Sequence, residues 1–174
     1  MNRRNFIVGI LVAGCVFVAS PLIPSVANAQ ADKVKKSMAA LIAKTAKLGA
    51  PKIEGKEPVG GKDAPGLYFG TTKMNNVFDV VDEVAKENGG TATLFVKSGD
   101  EYIRVATNVK KDDGSRAIGT VLDPKGAVIA VINKGEAFYG DATILGKPYV
   151  TGYEPIRDAS KNVIGIYYVG YAKS

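Results

Sequence analysis

The 174-residue chain contains no histidine and no tryptophan, and its single cysteine is Cys15. Without histidine there is no imidazole base, no Ser-His-Asp triad, no His-ligated zinc and no C-x-x-C-H haem attachment. If Cys15 leaves with an N-terminal signal, the remaining chain has no thiol. It then has no disulfide, no thiolate metal ligand and no cysteine nucleophile. Long runs of one charge are missing too: 23 Lys+Arg stand against 17 Asp+Glu, a net charge of +6, and the basic residues are spread along the chain with only short lysine pairs. Mild basicity suits anionic ligands, but no zinc-finger or RNA-binding signature accompanies it, so nucleic acid is not an expected partner. Asp112, Asp113 and Asp123 lack the spacing of a calcium loop, and "GGKDAPG" and "GTVLDPKG" are not phosphate loops. The motifs imply no metal, no cofactor and no catalytic constellation, so the expected class is binding and not enzyme.

What is present begins at the N-terminus. "MNRRN" is a short basic stretch, "FIVGILVAGCVFVAS" is an apolar run, and "SVANAQA" offers an A-x-A cleavage site at Ala27-Asn28-Ala29. Residues 1–29 are therefore expected to be a cleaved signal peptide, and the mature protein is expected in the periplasm or secreted. Two alternatives stay open. Phe6 to Ile23 is nearly long enough to remain as an uncleaved anchor, and "VAGC" resembles a lipoprotein box at Cys15. Residues 30–174 suit one domain, and 46% hydrophobic against 23% charged residues is a globular balance, not a disordered one.

Within that domain, residues 32–48 predict an amphipathic helix, with Val34, Met38, Leu41, Ile42 and Leu48 on one stripe and Gly49 and Pro51 ending it. The Gly- and Pro-rich stretch from Gly49 to Gly66 predicts a loop or meandering edge. A second helix is expected from about Asn75 to Glu87. The period then changes to two, predicting strands at Thr91–Lys97 and Tyr102–Val109 around the turn "SGDE". Ala117–Leu122 is expected to be extended, and 124–134 a short helix. Three further strands are expected at Phe138–Leu145, Pro148–Ile156 and Val163–Tyr171, with Ile164 and Ile166 on one buried face. Short turns favour antiparallel pairing, and helices must then cover the sheet, an α+β arrangement.

Strand alternation sorts the polar groups. It places Tyr102, Arg104 and Ala106 on one face, opposite Ile103, Val105 and Val109. It also places Tyr149, Thr151 and Tyr153 together on another strand. If those faces converge, a guanidinium fork stands among hydroxyls, a combination suited to a carboxylate. The alternative is an arginine paired with a surface acid and tyrosines that only pack in the sheet. Arg116, after the turn "DDGS", and Lys147, in "LGKPY", are further candidate cations.

From Asn88 onward the chain resembles the extracytoplasmic Cache sensor domains of the Cache 3/Cache 2 fusion type. The resemblance is carried by "GGTATLFVKSGDEYIRVATNVKKDDGSRAIGTVLD" and "FYGDATILGKPYVTGYEPIRDASKNVIGIYYVGY". It covers about half of the chain. It implies a PAS-like five-stranded antiparallel sheet (88–174), a long N-terminal helix (30–48) on one face and a ligand pocket on the other. It also implies sensing of small molecules, often organic acids, with Arg104, Thr107, Arg116, Lys147, Tyr149 and Tyr153 at the matching positions. One departure is local: the family's turn glycine is replaced by Lys161, followed by Asn162. Family receptors continue into a membrane helix and a signalling module, whereas this sequence ends at Ser174. The expectation is a free-standing sensor linked to signal transduction or chemotaxis through a separate membrane receptor or transporter, with a homodimer through the long helix as an oligomeric option. The alternative is an interaction module that no longer binds ligand and heterodimerises with a receptor.

Overall fold

The computed structural model describes residues 26–173. The expected apolar export segment and Cys15 lie outside the described residues. Helix α1 spans Val26–Ala46 and buries Val34, Met38 and Leu41, spaced as one helical stripe. It starts earlier than periodicity predicts, so Ala27-Asn28-Ala29 fall in its first turn. Its end is as expected: Gly49 takes φ +125°, a conformation that other residues avoid, and the chain turns back.

The stretch expected to be a loop or a meandering edge is a hairpin with its first strand at the sheet edge. Strands β1 (Pro51–Val59) and β2 (Lys62–Phe69) pair antiparallel, and the short β3 (Thr72–Lys73) completes a three-stranded sheet in the order β1-β2-β3. The prolines and glycines that argued against pairing are absorbed by an irregularity between Ile53 and Lys56, where Gly55 takes φ +65°, and by the positions of β1 at an edge. Helix α2 runs from Asp79 to Asn88, later than expected. Asn75 is used differently: its side chain accepts the Leu67 N–H at 2.8 Å and donates to the Pro65 carbonyl at 3.0 Å, tying the chain to β2 before the helix starts.

Strands β4 (Thr91–Ser98), β5 (Glu101–Thr107), β6 (Phe138–Ile144), β7 (Lys147–Arg157) and β8 (Val163–Ala172) form a fully antiparallel sheet in the order β5-β4-β8-β7-β6. The five-stranded α+β arrangement is the expected one. Ala117–Leu122 is not a strand. It makes isolated contacts along the outer edge of β5, with Arg104 N–H donating to the Thr120 carbonyl at 2.9 Å and Gly119 N–H to the Arg104 carbonyl at 3.0 Å. It covers an edge that would otherwise expose unpaired backbone groups. Helix α3 (Ala127–Ile132) is shorter than predicted.

Two cores lie on opposite faces of this sheet. One packs α1, α2 and β2 against Leu94, Val96, Tyr167 and Val169. The other packs α3 and the 109–122 segment against Phe95, Tyr102, Tyr153, Ile166 and Tyr168. Bulges break the simple alternation in two places. The β4–β5 register shifts between Leu94 and Phe95, so Ala106 joins the helix-side core and Thr107 comes opposite Thr93. The expected grouping of Ala106 with Tyr102 and Arg104 is therefore corrected, as is that of Val109 with Ile103 and Val105, because an extra residue reverses every later side chain. A second shift, between Ile156 and Arg157, places Ile164 in the helix-side core and Ile166 in the other; both are buried, but not on one face.

Candidate ligand-binding site

Arg104 stands on β5 directly opposite Phe95 of β4, on the sheet face away from α1. It is only 4% exposed. Its Nη1 donates to Thr120 Oγ1 at 2.6 Å, and its guanidinium carbon lies 5.0 Å from the centre of the Phe95 ring. Nε is buried with no hydrogen-bond partner among the described residues. Arg104 also makes no ion pair with a described residue, unlike the other cations discussed below. Burial pushes its pKa below the ordinary guanidinium value, against smaller opposing effects of Tyr168 and Tyr153. A guanidinium starts so high that it stays charged at neutral pH.

Tyr153 and Tyr168 pair across β7 and β8, with ring centres 5.0 Å apart. Phe138 of β6 meets the Tyr153 ring edge-on at 6.1 Å. The Tyr168 hydroxyl is within hydrogen-bond distance of Thr91 Oγ1, at 3.2 Å. The Tyr153 hydroxyl bonds no described residue. Burial raises both phenolic pKa values well above normal, most of all by desolvation, so both are neutral donors at physiological pH.

Arg104 and Tyr153 open onto a cavity of about 350 Å³ between the sheet and the segment around α3. Its other walls are mostly apolar, including Leu122, Val128, Phe138, Ala142 and Ile144, with Asp123 at the rim. A recess of about 380 Å³ lies beside α1 and α2, but there Lys44 is already held by Glu83 at 3.0 Å and Glu87 at 2.9 Å. The cavity at Arg104 holds a buried cation with no ion-pair partner among the described residues, whereas Lys35 and Lys47, which line other recesses, are exposed.

The sequence candidates divide accordingly. Arg104 and Tyr153 come together. Tyr149, half-buried, packs at the margin of the same core. Thr107 faces the same side of the sheet, but its hydroxyl is taken up by Thr93 at 2.6 Å and by the Val109 N–H at 3.1 Å. Arg116 lies away from the cavity. It grips Asp82 of α2 with two bonds of 2.7 Å, donates to the Thr107 carbonyl at 2.8 Å and stacks over Phe78 at 4.3 Å. Lys147 is exposed and pairs with Asp112 at 3.2 Å. Thr120, Phe95 and Tyr168 were missed. Phe95 was legible: the two-residue turn at Gly99-Asp100 fixes a register that pairs it with Arg104. Thr120 was not, because it reaches Arg104 from an irregular segment.

A long helix thus covers one sheet face, and a cavity with Arg104 in its wall opens on the other. The Cache 3/Cache 2 fusion domain profile matches residues 19–174. The chain belongs to the Cache 3/Cache 2 fusion family. Cache domains are extracellular sensor domains, not enzymes. Among curated proteins, none matches the sequence. Among the described residues of this Cache domain, no helix is long and apolar enough to cross a membrane.

Proposed function

We propose that this Cache domain is an extracytoplasmic sensor that captures a small organic acid on Arg104 and reports its capture to a separate membrane receptor or transporter, in signal transduction or chemotaxis. The carrying observation is the buried, unpaired guanidinium in the cavity wall. An uncompensated buried charge costs several kcal/mol, and a carboxylate supplies both the counter-charge and the missing acceptors. The Tyr153 hydroxyl is a second donor to the same ligand, with Tyr149 at the margin of the site. Arg116, Thr107 and Lys147 then shape the surrounding structure. The basic and apolar N-terminus with its A-x-A site supports export to the periplasm, residues 1–29 acting as the signal and 30–174 as the sensor domain.

A thermal-shift series with short mono- and dicarboxylic acids tests this. A ligand that binds only the folded state at a hundredfold excess over Kd stabilises it by about 2.7 kcal/mol. In a domain of this size each kcal/mol moves the melting temperature by roughly 2–4 °C. At least one acid should therefore raise it by several degrees, and Arg104→Gln should erase the shift. No shift from any acid, or a shift that survives Arg104→Gln, overturns the proposal. In the first case, a receptor complex held through α1 in native mass spectrometry would favour a ligand-free interaction module.

A further inference from the structure

We infer that the acid is a compact monocarboxylate with a hydrocarbon remainder, and that dicarboxylates and α-amino acids are excluded; this rests on the carboxylate reading of Arg104. The basis is the distribution of charge around the cavity. Among the described residues lining it, Arg104 is the single cation, against Asp123 and Asp141. Asp141 is already neutralised: its carboxylate is bound by Lys173 Nζ at 2.5 Å, and strand alternation directs it to the other sheet face. Asp123 is different. It is exposed, its Oδ1 accepts the Lys125 N–H at 2.9 Å, and no described lysine or arginine side chain pairs with it. The other candidate cations are engaged elsewhere, Arg116 on Asp82 and Lys147 on Asp112.

The cavity therefore has one positive charge at its base and one uncompensated negative charge at its mouth. A ligand carboxylate on Arg104 directs the rest of the molecule past Leu122, Val128, Ala142 and Ile144. A second carboxylate would have to lie against those apolar walls without a partner, or face Asp123. Both are unfavourable, the first by desolvation and the second by like-charge repulsion. An α-ammonium fares no better. It sits one bond from the carboxyl-bearing carbon, so it is held beside the Arg104 cation and away from Asp123. A hydrocarbon chain meets neither penalty. The volume of about 350 Å³ lies near the small end of ligand pockets, roughly 300–1,000 Å³, which favours a compact molecule.

Three probes of equal chain length separate these cases: butyrate, succinate and 2-aminobutyrate. In calorimetric titrations butyrate should bind, and the other two at least about tenfold more weakly, the equivalent of one decade in Kd. Succinate or 2-aminobutyrate binding as tightly as butyrate, with Arg104→Gln abolishing it, overturns the monocarboxylate class and leaves the carboxylate site standing. If neither these probes nor the wider acid series bind, the site itself falls. The charge at the rim is tested separately. Asp123→Asn keeps the acceptor for the Lys125 N–H and should narrow the gap between butyrate and succinate; Asp123→Lys should narrow it further. An unchanged gap in both variants, with unchanged melting temperatures, overturns the electrostatic basis.

Discussion

Arg104 and Arg116 show how environment assigns opposite jobs to one side-chain type. Arg116 spends its fork on Asp82, the Thr107 carbonyl and the Phe78 ring, and so ties α2 to the end of β5. Arg104 has Thr120 and a ring face, and an Nε with no hydrogen-bond partner among the described residues. Arg116→Ala should therefore cost about 1–2 kcal/mol of stability in urea melts, the worth of a half-exposed bidentate pair with a charged hydrogen bond, and leave acid binding intact. Arg104→Met should do the reverse. Replacing a buried, uncompensated charge by an apolar chain of similar volume is often neutral or stabilising by about 1–4 kcal/mol. Thr120 Oγ1 still donates to the Ala117 carbonyl at 2.8 Å, so no donor is stranded. The variant should be at least as stable as the parent without ligand and should not respond to acids. A strong loss of stability would mean that Arg104 holds the fold rather than a ligand.

The tip of the β1–β2 hairpin reaches the segment that holds Arg104. A Cβ on Gly119 would lie 2.7 Å from the Val59 carbonyl oxygen and 2.8 Å from Gly60 Cα, and Gly119 has φ +75°. Gly119→Ala thus meets backbone on one side and strain on the other, and it sits next to Thr120. It should lower stability by more than about 1 kcal/mol and weaken acid binding as well, measured by melting and by titration. Unchanged binding would separate the hairpin from the site. A milder change works the other way at the β7–β8 turn, where Lys161 itself adopts φ +68°. Lys161→Gly should stabilise by up to about 1 kcal/mol, since glycine has no Cβ to clash there. Much of this arrangement was legible in the sequence, and the exceptions have a common cause. Period-two runs located β4, β5, β6, β7 and β8, and short turns gave the β4–β5, β6–β7 and β7–β8 pairings, though not the β4–β8 one. What alternation cannot reveal is an inserted residue, which is why Ala106, Val109 and Ile164 fell on the wrong faces. Composition cannot show that Gly55 and Pro58 are tolerated in an edge strand, which hid the hairpin. Arg104 and Tyr153 were visible as residue types on suitable strands. Their isolation from other charges was not, because it depends on Asp82 and Asp112 drawing Arg116 and Lys147 away.

The tyrosines that crowd the C-terminal strands bind the two cores to one sheet, and this makes the fold sensitive to alkali. On the helix side Tyr171 bonds Ser37 of α1 at 2.7 Å and donates to the Asn88 carbonyl at 2.7 Å, while the Tyr167 hydroxyl accepts from Thr45 at 3.3 Å. On the cavity side Tyr153 and Tyr168 are packed together under α3 and β6. Desolvation is the first cause of the raised pKa in Tyr102, Tyr153, Tyr167 and Tyr168. Their folded values lie above the free phenol value of about 10. The unfolded chain then loses phenolic protons first as pH rises, so above that value it binds fewer protons than the folded state and stability declines. The contribution is complete below about pH 10 and is lost as pH rises through the folded values. Lys44, raised first by its hydrogen bond to Glu87 and next by that to Glu83, acts in the same direction. Urea midpoints should thus be insensitive to these phenols near neutrality and fall from about pH 10 upward. Phenolate absorbance of the buried tyrosines should appear together with unfolding and not before it. Tyr153→Phe isolates the phenolic part, because it removes one titrating hydroxyl without touching Lys44; it should make the alkaline decline shallower. An equally steep decline in that variant would take Tyr153 out of the alkaline response and leave it to Tyr102, Tyr167, Tyr168 and the Lys44 pairs.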